Sequence, residues 1–80
     1  MNELKLREIC SDVFEEACRA GSKHPPLNSH HEASAVIKEE FGEYWDEVCK
    51  GGSVPRVADA LRLELVHTAA MCVRALHDLC

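Results

Sequence analysis

The stretch KEEFGEYWDEV, residues 38–48, interleaves five carboxylates with four large apolar side chains. The acids are Glu39, Glu40, Glu43, Asp46 and Glu47. At about 100° per residue, Phe41, Tyr44, Trp45 and Val48 fall on one side of a helical wheel, and Ala33 and Ile37 extend that stripe upstream. The helical period decides the fold class. Glu40, Glu43 and Glu47 run along one border of the stripe beside Val36, while Glu39 and Asp46 lie further round towards solvent. Like charges three or four residues apart on a helix repel by roughly 0.2–0.5 kcal/mol a pair. Glu39–Glu43, Glu40–Glu43 and Glu43–Glu47 are such pairs. The cluster is either a well-solvated helix face or a site that needs a cation.

Outward from this stretch the chain punctuates itself. Asn28 or Ser29 can cap the helix, and Glu32, three residues after Ser29, completes a capping box. The helix is expected to reach about Cys49 and to end at Lys50-Gly51-Gly52, where glycine suits a C-terminal turn. A first helix is expected from about Asn2 to Ala20, with Leu4, Leu6, Ile9, Val13, Phe14 and Ala17 at mostly helical spacing and Gly21 as its stop. Gly21 to Ser29 is a loop, because Pro25 and Pro26 bar helix there. A third helix is expected to start at a Ser53 cap with Pro55 early in it and to run to the C-terminus. Its main stripe is Val54, Ala58, Leu61, Leu65, Ala69, Cys72, Leu76 and Leu79. Glu64 lies beside that stripe, with His67 one turn further on the same side.

The composition bounds what such a chain does. Its 80 residues make one domain, and hydrophobic residues at 46% exclude an intrinsically disordered chain. The expected architecture is all-α, with three helices per chain and a helical bundle completed by oligomerisation into a homodimer or homotetramer. A net charge of −5 argues against a nucleic-acid partner, which needs a basic patch. No apolar run approaches a membrane span, and the N-terminus lacks the apolar core of a signal peptide, so a cytoplasmic location is expected. The five cysteines, Cys10, Cys18, Cys49, Cys72 and Cys80, have no paired spacing. They are expected to be buried small hydrophobes without intrachain disulfides, and the histidine spacing does not favour zinc.

Two helices thus place carboxylates at the edge of an apolar seam, and facing edges bring those carboxylates together. Hard oxygen ligands of this kind suit magnesium, which is commonly shared between carboxylates and substrate phosphates. Arg74 and Lys38 are expected to be ordinary surface charges, Tyr44 and Trp45 core residues, and His30 and His31 exposed. Asp78 stands too far along the third helix to join the carboxylates.

EEFGE, residues 39–43, followed by ELVH, residues 64–67, resembles the motif pair of the MazG-like, all-α nucleoside triphosphate pyrophosphohydrolases. That family carries E-x-x-D where this chain has ELVH. The wider pattern, HEASAVIKEEFGEYWDEV then ELVHTAAMCVRALHDL, is similar to short phage and bacterial proteins grouped loosely with it. The resemblance spans roughly Ser29 to Leu79. It implies hydrolysis of a nucleoside triphosphate to monophosphate and pyrophosphate with Mg²⁺. It implies Glu40, Glu43 and Glu64 as metal ligands and Glu39 as the residue that orients the attacking water. His67 stands where the family has Asp. Imidazole suits Mn²⁺ better than Mg²⁺, so the metal preference differs, His67 has another task, or the activity is lost. In the last case the chain is a non-catalytic helical oligomeric interaction module with a degenerate site.

Overall fold

The computed structural model describes the backbone of residues 1–51 and 55–80, and side chains for all of these except 55–57. Three α-helices follow one another: α1 (Glu3–Lys23), α2 (His30–Cys49) and α3 (Pro55–Leu79). Helix α3 packs against both α1 and α2. The chain is all-helical, as the periodicity predicts. None of its helices, among the described residues, is long and apolar enough to cross a membrane.

The helix ends follow local chemistry. Asn2 caps α1, its side chain accepting from the Lys5 N–H. Ser29 caps α2: its hydroxyl accepts from the Glu32 N–H at 3.0 Å. The Glu32 carboxylate reaches back to the Asn28 N–H at 3.1 Å, one residue earlier than a capping box requires. Gly51 follows α2 with φ +79°, the left-handed conformation that glycine adopts at no steric cost. Ser53, the expected cap of α3, and Val54 lie outside the described residues.

Gly21 does not stop α1. The helix continues to Lys23, and His24 turns extended with φ −127° and ψ 147°. Pro25 supplies the reason: its ring disfavours helical backbone in the residue before it. The loop that follows is tied to α3. The Leu27 N–H donates to Asp78 Oδ2 at 2.8 Å, and Arg74 Nη2 donates to the Pro25 carbonyl at 3.2 Å. Leu27 itself is buried. Asp78 therefore holds the loop, in keeping with its exclusion from the acidic group. An ion pair between Arg62 Nη2 and Asp12 Oδ2, at 2.7 Å, joins α1 to α3.

The core is small. Ala20, Ala70 and Met71 form its centre, with Val13, Ala17, Val36 and Ile37 packed against it. On α3 the buried face carries Ala70, Met71 and Arg74, while Leu65, Cys72 and Leu76 of the expected stripe are exposed. The small Ala70 lets neighbouring helices approach, and the stripe is only partly covered, with Leu61, Ala69 and Leu79 half-buried. Arg74 is not a surface charge: it is only 7% exposed, with Nη1 against Met71 Sδ at 3.6 Å. Of the expected core residues Tyr44 is half-buried but Trp45 is 55% exposed, and Phe41 of the same stripe is 52% exposed. All five cysteines are free, as expected, but exposed rather than buried. His30, His31 and Lys38 are exposed, as expected.

The accessible surface totals 5901 Å². A folded monomer of 8.9 kDa exposes roughly 4,800 Å². The radius of gyration, 13.5 Å, likewise exceeds the roughly 12 Å of a compact chain of this length. Three helices alone do not close around their apolar faces.

Candidate metal centre

Packing of α2 on α3 sets Glu40, at the edge of its stripe, opposite Glu64 and His67. One donor atom from each of Glu40, Glu64 and His67 lies within 4.8 Å of the other two. His67 Nδ1 is 3.6 Å from Glu64 Oε2 and 4.0 Å from Glu40 Oε2. All three side chains are half-buried. Glu40 Oε2 and Glu64 Oε2 are themselves buried and accept no hydrogen bond. A buried carboxylate oxygen without a donor carries a desolvation cost.

Electrostatics records that cost. Burial, and after it the charge of Glu43, pushes the Glu40 carboxyl above its ordinary 4.5, while His67 opposes the shift. Burial and then Glu43 also push the Glu64 carboxyl upward, again against His67. A third carboxylate beside two partly buried ones disfavours their charged forms, and a cation placed among them would offset that.

The other residues expected at the site are placed less deeply. Glu43 is exposed and stands outside the closest group of three, although its charge bears on both buried acids. Glu39 is exposed. Both line the same open cleft as Glu40, Glu64 and His67, a space of about 550 Å³. Arg19, Arg74 and His24 line it as well. The cleft is therefore bipolar rather than uniformly acidic.

Helix α1 adds a carboxylate that neither motif contains. Glu16 Oε1 is 3.7 Å from His67 Nε2. Arg19 grips Glu16 with two donors, Nε to Oε2 at 2.8 Å and Nη2 to Oε1. That grip, more than any other influence, holds the Glu16 carboxyl below its ordinary value. One signal in the sequence marks Glu16: it flanks Val13, Ala17 and Ala20 on α1 as Glu40 flanks the stripe of α2. Arg74 carries no comparable mark.

The donor set fits a divalent ion. Adjacent ligands around an ion of magnesium's size stand roughly 3 Å apart, so donors within 4.8 Å of one another have to draw together to share one ion. Two buried oxygens without hydrogen-bond donors are free to ligate. A ring nitrogen beside them shifts the set from a purely hard one towards the borderline ions such as Mn²⁺. No family model, no curated protein and no solved structure matches this chain.

Proposed function

We propose that the chain is a metal-dependent nucleoside triphosphate pyrophosphohydrolase, related to the MazG-like enzymes, that works as a homo-oligomer with Mg²⁺ or Mn²⁺. The observation that carries this reading is the convergence of Glu40, Glu64 and His67 from two helices, with two carboxylate oxygens buried and unsatisfied. Glu40, Glu64 and His67 would hold the ion, and Glu43 would complete the set from the cleft. The bound ion supplies charge stabilisation at the phosphoryl oxygens. Glu39, on the same cleft, orients the attacking water and accepts its proton. The water oxygen bonds to the α-phosphorus, the bond from that phosphorus to the bridging α–β oxygen breaks, and pyrophosphate leaves. Arg74 and Arg19 line the same cleft but are held by the Pro25 carbonyl and Glu16, so the bound ion would carry most of the charge facing a polyphosphate.

Oligomerisation belongs to the same proposal. The surface in excess of a compact monomer's is roughly 1,100 Å², comparable to what one partner buries in a standard interface. The exposed Phe41, Trp45, Leu65 and Leu76 are suited to covering by a second copy.

One observation favours a second reading. His67 stands where the related motif has Asp, and the exposed apolar residues need a partner whether or not hydrolysis occurs. On that reading the chain is a non-catalytic helical oligomeric interaction module. A screen of nucleoside triphosphates with Mg²⁺ or Mn²⁺, reading out pyrophosphate, separates the two. The enzyme reading expects turnover in the wild type that is lost in Glu40→Gln. Turnover equal in both proteins removes Glu40 from the reaction and overturns the site, and turnover absent with every nucleotide and both metals supports the interaction module.

A further inference from the structure

We infer that Glu16 is a positioning residue for His67: its carboxylate engages the Nε2 edge of the imidazole, so that Nδ1 is the nitrogen presented beside Glu40 and Glu64. The inference rests on the metal-site reading above and adds a third helix to it.

The two ring nitrogens of His67 face carboxylates from different directions. Nδ1 faces Glu64 at 3.6 Å and Glu40 at 4.0 Å, and Nε2 faces Glu16 at 3.7 Å. A neutral imidazole has one N–H and one lone pair, and only the lone pair can ligate a metal. Carboxylates stand at both nitrogens, so the choice falls to the ion: once it neutralises Glu40 and Glu64 and takes the Nδ1 lone pair, the proton moves to Nε2, where the Glu16 carboxylate receives it. A carboxylate behind a ligating histidine also fixes the ring and raises its basicity, and losing such a partner typically weakens metal binding about 10–100-fold.

Glu16 is suited to this task because it is itself held. Arg19, one turn on, grips both of its oxygens. The Glu16 side chain is largely covered, whereas that of Arg19 is half exposed. A relay therefore runs Arg19–Glu16–His67 from α1 to the acidic pair on α2 and α3. It also accounts for a histidine at position 67: an aspartate there would turn a like charge towards Glu16, whereas imidazole offers it a donor. Two simpler roles compete. Glu16 could add negative charge near the ion without touching the ligand's tautomer, or could serve α1 only through Arg19.

Calorimetric titration of the full chain with Mn²⁺ separates these roles, using wild type, Glu16→Gln, His67→Asp, the double variant and Arg19→Gln. We expect Glu16→Gln to weaken Mn²⁺ binding about tenfold or more. In the His67→Asp background, which lacks Nε2, the same change is expected to alter affinity less than about threefold. Arg19→Gln is expected to lose less than Glu16→Gln. Equal weakening in both backgrounds, no weakening at all, or an Arg19→Gln loss as large as that of Glu16→Gln overturns the inference while leaving the metal centre standing. A wild type that takes up no Mn²⁺ overturns the metal centre and the inference with it. Pulsed electron paramagnetic resonance of the Mn²⁺-loaded wild type gives a check independent of how Glu16→Gln folds. A coordinated imidazole nitrogen is expected in the wild type and not in His67→Asp, and its absence from the wild type overturns the inference.

Discussion

Glu40 carries a structural cost that the proposed metal site would offset. Its buried oxygen has no donor, and Glu43 stands nearby with the same charge. The folded chain holds protons at Glu40 and Glu64 more tightly than the unfolded chain does, so protonation favours the folded state. That stability is fully present below the ordinary value of 4.5 and is lost as pH rises through the raised values of the folded chain. Glu16 and Asp78 act in the opposite sense. Arg19 lowers the first; His77, then the Leu27 N–H, lowers the second. Their contribution is present above the ordinary values and is lost only as pH falls through the depressed ones. The metal-free protein should therefore melt higher at about pH 5 than at about pH 7, as followed by circular dichroism. Glu40→Gln should flatten that dependence. At neutral pH the same variant, without metal, should melt like the wild type or up to roughly 3 °C higher, because like-charge repulsion falls. A clear loss of stability would mean that the Glu40 carboxylate makes a favourable contact in the metal-free chain.

At the scale of the helices, caps and glycines give separable effects. The Ser29 hydroxyl caps α2, so Ser29→Ala should cost about 1 kcal/mol in chemical denaturation. Gly21 is helical, and a Cβ built there meets nothing within 4 Å. Gly21→Ala should stabilise by roughly 0.5–1 kcal/mol, since glycine inside a helix pays more backbone entropy than alanine. A destabilised Gly21→Ala would place a neighbour against that face. The same residues show where sequence reading reaches and where it stops. The three helices were legible because period and capping chemistry are local. Gly21 misled because glycine marks a stop only where a positive φ is needed, and the extended residue before Pro25 ends α1 instead. That Glu40, Glu64 and His67 come together was legible from their places beside apolar stripes, whereas their role as ligands rests on the resemblance. Glu16 and Arg74 were not read as part of the cleft, since which face of α3 meets α1 depends on small residues such as Ala70 rather than on the largest apolar stripe.

The chain as a whole leaves part of its apolar surface open. Exposed Phe41, Trp45, Leu65 and Leu76 lie beyond a core whose centre is Ala20, Ala70 and Met71. Light scattering at tens of micromolar, as an order of magnitude for a stable association, should return a dimer or tetramer. Trp45→Glu should shift it towards monomer by putting a charge on the face proposed to be covered. A wild type that runs as a clean monomer would contradict the oligomer.

The acidic centre is tested most directly by melting the protein with and without millimolar Mn²⁺. A ligand that binds only the folded state adds roughly 2.7 kcal/mol at a hundredfold excess over Kd, worth roughly 10 °C or more for a chain of this size. The wild type should gain that shift, and Glu40→Gln should lose most of it. If wild type and Glu40→Gln melt alike with and without Mn²⁺, the carboxylates that meet between α2 and α3 are not a metal centre.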